Sequence, residues 1–166
     1  YIPVCTGIGV GFIIDPKPYH GMLHPEGGHI FLARHPQDPM ERGVCPYHEL
    51  CLEGLASGPS IQARWGKPGA ELADRKEVWE LEAYYLAQAI CSYIMILSPE
   101  RIIIGGGVAH QEQMMPLIRE QLAAGKKVTF GPKGTSMLPM LRQGIDSVEI
   151  AAVTGKLKKY DLPLYR

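Results

Sequence analysis

Between His24 and Glu53 the chain runs HPEGGHIFLARHPQDPMERGVCPYHELCLE, and Cys45, His48 and Cys51 fall in it at the spacing C-x-x-H-x-x-C. With His29 a loop upstream, four nitrogen and sulfur donors can converge on one ion, the tetrahedral set that Zn2+ takes in closed structural sites. Such a staple constrains the local fold more than any propensity in the stretch, because the proline-rich segment HPQDPMERGVCP can continue neither helix nor sheet. Two acids, Glu26 and Glu53, stand beside presumed ligands, so a zinc-closed loop presenting carboxylates reads as a substrate lip. A disulfide between Cys45 and Cys51, or a pair of buried thiols, is the bland alternative. Cys5 and Cys91 lie far off in apolar surroundings, which suggests packing.

Composition narrows the class. The 166 residues are 46% hydrophobic and 20% charged, enough for one soluble globular domain with a real core. Seventeen basic residues cancel seventeen acidic ones, leaving no electrostatic footprint for nucleic acid or an anionic bilayer. No apolar run reaches the roughly 20 residues that a bilayer needs, and the N-terminus lacks a signal-peptide pattern. A reducing cytoplasm fits thiolate ligands. The chain opens on Tyr1, without methionine, in what reads as a strand, as a piece of a longer protein would.

Residues 1–14 alternate β-branched residues with Gly7, Gly9 and Gly11, predicting a strand approachable by a ligand. Asp15-Pro16 ends it, and Lys17 to Met22 can return as a hairpin arm. A strand is expected at His29–Ala33 and a helix from Glu49 through to about Gly66. Asp74 with Glu77 predicts a cap for the longest helix, which runs to Leu97 before Ser98-Pro99; its apolar second half belongs against a sheet. Arg101 to Ile104 predicts a buried strand turning at Gly105, Gly106 and Gly107 into a helix closed by Gly125. That strand, glycine turn and helix form the arrangement in which backbone amides meet a nucleotide at a sheet edge, although three glycines can equally serve a tight turn alone. The segment 126–135 is expected as an exposed loop, 148–153 as a last strand and 155–166 as a polar tail or short helix.

Taken together these motifs resemble the ROK family of sugar kinases and regulators, most closely its fructokinase branch. T-G-I-G-V-G at 6–11 is similar to the second phosphate motif, E-G-G-H at 26–29 to the sugar and zinc motif, C-P-Y-H-E-L-C-L-E-G-L-A-S-G at 45–58 to the zinc-loop signature, and I-I-G-G-G-V at 103–108 to the adenosine-side turn. The resemblance implies an α/β ribonuclease H-like (actin-like ATPase) lobe, a mixed sheet flanked by helices with a zinc-binding loop at about 29–51. It makes residues 1–166 the C-terminal lobe of a two-lobe enzyme that phosphorylates a hexose, fructose to fructose 6-phosphate, with ATP and Mg2+. Glu26, His29 and Glu53 would then face the sugar, Thr6 and Gly7 the phosphates, and Gly105, Gly106, Gly107 and Val108 the adenosine. His29, Cys45, His48 and Cys51 would hold Zn2+. The catalytic aspartate would belong to an absent N-terminal lobe, so the lobe alone is expected to be inactive. A sugar-sensing regulator built on the same lobe is the alternative. The expected partners are hexose and ATP, without membrane or nucleic acid, and the apolar long helix is compatible with a homodimer. Cys5 departs from the family pattern, in which a glycine stands first in the phosphate motif.

Overall fold

The computed structural model describes residues 1–123 and two short strands at 128–130 and 148–150. The elements in chain order are β1 (Ile2–Pro3), β2 (Ile13–Ile14), β3 (Lys17–Pro18), α1 (Leu52–Ala56), α2 (Gly58–Trp65), α3 (Lys76–Leu97), β4 (Ile104–Gly105), α4 (Met114–Ala123), β5 (Val128–Phe130) and β6 (Val148–Ile150).

β1 is the centre of the strand arrangement. On one side it runs parallel to β4, with the Ile2 amide donating to Ile103 and the Val4 amide to Gly105, both at 2.8 Å. Strand alternation places the donor-less nitrogen of Pro3 on the opposite edge, where proline is tolerated. On that edge Tyr1 exchanges hydrogen bonds with Gly11. The described strands form three two-stranded pairs, β1–β4 parallel and β2–β3 and β5–β6 antiparallel, rather than the one mixed sheet expected. The continuous strand expected over residues 1–14 is broken, because the Cys5 amide bonds to the Gly7 carbonyl in a tight turn at Cys5–Gly7 and the chain doubles back so that Val4 bridges Ile8. β2 and β3 form the expected hairpin about Asp15-Pro16, shorter than the predicted arm to Met22.

Four further expectations need correction. His29–Ala33 is a single bridge, Phe31 to Cys51, after a 3-10 turn at Gly27–His29. The helix expected from Glu49 begins only at Leu52 and breaks at Ser57, which caps α2 through its hydroxyl ahead of Pro59 in that helix's first turn. α3 starts one residue later than the Asp74–Glu77 cap implies, because Glu77 pairs with Arg75 instead. β5 occupies part of the segment expected as a loop and pairs antiparallel with β6, the described part of the strand expected at 148–153; the expected tail at 155–166 lies outside the described residues.

The core joins Ile2, Val4, Ile8 and Val10 to Leu52, Leu55, Trp79, Tyr85, Leu86 and Met114. Each large side chain wholly buried this way contributes about 1.5–3 kcal/mol relative to exposure. α3 packs on α4 and α1, and its polar tips hold the chain on either side of His29 by the backbone. Gln88 exchanges two 3.1 Å hydrogen bonds with Ala33, and the Tyr93 hydroxyl donates to the Gly27 carbonyl at 2.7 Å. Among the described residues, no helix is long and apolar enough to cross a membrane.

Candidate functional site

The four donors expected to converge do so. Ligand atoms of His29, Cys45, His48 and Cys51 all lie within 4.8 Å of one another. His29 Nδ1 stands 3.7 Å from Cys45 Sγ and 3.6 Å from Cys51 Sγ. Bond lengths of about 2.3 Å to sulfur and 2.0–2.1 Å to nitrogen at tetrahedral angles require N···S edges of about 3.6 Å, which the two His29–cysteine separations match. His48 Nδ1 is buried without a hydrogen-bond partner, an orphan that a cation would satisfy. Cys45 and Cys51 are free thiols, which removes the disulfide alternative.

Local chemistry builds this pocket. Cys51 caps α1, its Sγ accepting from the Gly54 amide at 3.3 Å. Gly43 turns so tightly that a methyl on it would stand 2.0 Å from the Glu49 carbonyl oxygen. Burial pushes the Cys51 thiol up to about 11; the Gly54 amide opposes the rise, while Cys45 and Glu53 add to it. Without a cation this sulfur is a protonated, inert thiol rather than a nucleophile.

Glu53, two residues beyond Cys51, does not simply open to solvent. Its Oε2 accepts the Ile8 amide at 3.0 Å and lies where a methyl on Gly7 would meet it at 2.8 Å. The glycine turn at Cys5–Ile8 is held a second time by the Gly58 amide, which donates to the Cys5 carbonyl at 2.8 Å. One helical turn therefore carries a candidate metal ligand and a brace for the glycine turn. Glu26 is exposed, its side chain making no cap; its carbonyl accepts the His29 amide.

The lip lies directly on the same glycine turn. A methyl on Gly28 would stand 1.7 Å from the Ile8 carbonyl oxygen, a backbone clash that no rotamer relieves. Gly28→Ala is expected to lower stability by about 2–3 kcal/mol through overpacking. Urea unfolding of variant and parent measures it, and an unmoved midpoint would mean that lip and turn are not in contact.

Of the expected nucleotide residues, Thr6, Gly107 and Val108 line one cavity of about 370 Å³, whereas Gly7, Gly105 and Gly106 stand outside its wall. Gly106 instead lets two backbones meet: its φ is +93° and a methyl there would stand 2.3 Å from the Val4 carbonyl oxygen. Sequence reasoning missed the opposite wall, built by Pro59 and Gln62 of α2 and by Pro68, Gly69 and Ala70. Its available signal was the Gly-Pro and Pro-Gly pairs at 58–59 and 68–69.

Comparison with known proteins extends this picture. A relative from Bacillus subtilis is 55% identical over 118 residues, covering 71% of this chain and 39% of that protein. The fructokinase of Zymomonas mobilis is 47% identical over 125 residues, covering 74% of this chain and 42% of that protein. The chain thus spans about two-fifths of the length of these relatives. In structure it is similar to a ROK hexokinase from Thermus thermophilus, with a TM-score of 0.60 at 23% identity over 74% of this chain and 45% of the other, which speaks to the fold. It is also similar to a ROK family transcriptional regulator, with a TM-score of 0.55 at 26% identity over 73% of this chain and 36% of that one. The ROK family model matches residues 1–133, most of the chain and every motif described above, and the chain belongs to that family.

Proposed function

We propose that this chain is the C-terminal lobe of an ATP-dependent sugar kinase that converts fructose to fructose 6-phosphate, supplying the sugar lip and the adenosine side of the cleft. The observation that carries the proposal is the shared turn of α1, in which Cys51 closes the metal cluster and Glu53 braces the glycine turn. Identity of 47% to a fructokinase, against 26% to a ROK regulator, favours a kinase over a sugar sensor.

In this proposal His29, Cys45, His48 and Cys51 hold Zn2+, which when bound closes the loop and fixes the imidazole tautomers. Glu26, His29 and Glu53 orient the hexose, since carboxylates accept paired hydrogen bonds from adjacent hydroxyls and discriminate against sugars that leave a buried acceptor unmatched. Thr6 and the Gly7 amide meet the phosphates of MgATP, and Gly105 to Val108 flank the adenosine. Because Glu53 Oε2 is engaged by the Ile8 amide, its part at the sugar includes fixing the distance between lip and phosphate turn. Phosphoryl transfer is mostly positioning and electrostatics, to which such a brace contributes directly.

No residue here matches the family's aspartate for deprotonating the sugar hydroxyl. The 166-residue chain alone is therefore expected to form no fructose phosphate from ATP, while the same chain fused behind the N-terminal lobe of a fructokinase relative regains the activity. A folded fusion that consumes no ATP with fructose, mannose or glucose would refute the kinase assignment.

A further inference from the structure

The segment between His29 and Cys45 spans 16 positions and carries almost no regular structure, yet both of its ends must deliver a ligand to one cluster. Midway along it lies Asp38, whose side chain is wholly buried, as is that of Arg64 beside it. Asp38 Oδ1 accepts from Arg64 Nε at 2.8 Å and from the Met40 amide at 2.8 Å, and Oδ2 accepts from the Tyr85 hydroxyl at 2.5 Å. The hub extends outward from there. Arg64 Nη2 donates to the Leu55 carbonyl of α1 at 2.8 Å, Arg34 Nη1 donates to the Asp38 carbonyl at 2.6 Å, and the His35 amide donates to the Tyr85 oxygen at 3.1 Å.

A carboxylate taken wholly out of water persists only where its acceptor sites are met and its charge is opposed, and here both conditions hold. One anion thus ties an irregular loop to α1, α2 and α3 together. α1 is the helix that Cys51 caps, so the loop and the helix that carry the ligands refer to the same anchor. None of the cluster's four residues is a hydrogen-bond partner of Asp38, so any effect it has on the cluster passes through the backbone.

We propose that Asp38 is a positioning residue for the metal cluster: its buried carboxylate, gathered by Arg64, Tyr85 and the Met40 amide, presets the loop so that His29 and Cys45 meet Cys51 at ligand distance before a cation arrives. This rests on the metal part of the proposed function and is independent of the sugar.

The test uses the full chain, titrated with Zn2+ against a chromophoric chelator and loaded with Co2+ for its visible thiolate and ligand-field bands. Asp38→Asn keeps the side-chain shape and leaves Arg64 without its counter-charge. It is expected to weaken zinc binding about 10–100-fold, the range seen when groups that orient ligands are changed, and to broaden the cobalt bands. Tyr85→Phe, which removes one donor and leaves the ion pair, shows a smaller loss in the same direction and decides the matter if Asp38→Asn does not fold. Ile90→Val, a core change on α3 outside the Asp38 hydrogen-bond hub, is expected to lower stability with affinity and spectrum unchanged. Parent affinity and spectrum in the Asp38 and Tyr85 variants would overturn the proposal, as would an equal loss in Ile90→Val. A parent chain that binds no zinc would overturn the metal assignment as well.

Discussion

Cys51→Ser is expected to abolish stoichiometric zinc binding and to make thermal unfolding indifferent to chelator. A ligand present at 1,000 times its Kd adds about 4 kcal/mol to stability, and an ion held by residues 29, 45, 48 and 51 together would be bound by the folded chain alone. Cys51 is the informative position because it serves twice, as a cluster donor and as the cap of α1. Serine is itself a good cap, so the helix start survives the substitution and the loss is assigned to the ion. The parent's unfolding midpoint should fall on adding a strong chelator, while the variant's should not move. Zinc affinity should also weaken as pH falls, because burial holds the Cys51 thiol protonated until the cation displaces the proton. Metal content near one per chain in the parent and near zero in the variant completes the check. Equal midpoints for the parent with and without chelator would sink the metal assignment.

The cluster was legible because its chemistry is local. Cys45, His48 and Cys51 lie within seven residues, and only the fourth ligand had to be inferred across a loop. The glycine turn and following helix were legible as glycines ahead of a periodic segment, but the buried strand expected at Arg101 to Ile104 is only Ile104–Gly105, half-buried beside an exposed Ile103, the helix begins at Met114, and its expected close at Gly125 lies outside the described residues. Helix boundaries were less so. Residues 49–66 read as one helix, yet Ser57-Gly58-Pro59 starts a new one, the Ser57 hydroxyl accepting the Ser60 amide and Pro59 fitting only a first turn. Glu53 was anticipated at the sugar from family resemblance, but its bond to Ile8, 45 positions away, has no sequence signature. Neither does the Asp38 hub, whose partners Arg64 and Tyr85 are 26 and 47 positions distant. Asp38 reads as a loop acid and Tyr85 as one more apolar residue of a core helix. Only the packing of three helices against the loop turns them into one site.

Glu82→Gln is expected to stabilise the chain at neutral pH, with a gain that shrinks to nothing in acid. Glu82 lies on α3, wholly buried, and its Oε1 has no hydrogen-bond partner. Burial pushes its carboxyl well above the ordinary range; the Arg64 charge opposes this and the Asp38 charge adds to it. The Asp38 carboxyl goes the other way: burial alone would raise it, yet hydrogen bonds from Arg64, Tyr85 and the Met40 amide, with the Arg64 charge, hold it below its usual value. The two acids beside one guanidinium are thereby moved in opposite directions, Asp38 down and Glu82 up. The sign follows from proton counting. Below the ordinary glutamate value, about 4.3, both folded and unfolded chains hold the Glu82 proton and it contributes no pH dependence. Above that value the unfolded chain releases the proton while the folded chain keeps it, so stability falls as pH rises until the raised folded value is reached. Within that window the slope approaches about 1.4 kcal/mol per pH unit, and glutamine, which never ionises, removes it. Asp38 contributes the opposite trend, with stability present above its unfolded value and lost as pH falls through its lowered folded one, so the two effects occupy different pH ranges. Urea unfolding of parent and Glu82→Gln at pH 4, 5, 6 and 7 separates them. The difference between the two proteins should widen steadily with pH, and a difference that stays constant across the series would mean that Glu82 is ionised in the folded chain and that Arg64 serves both acids.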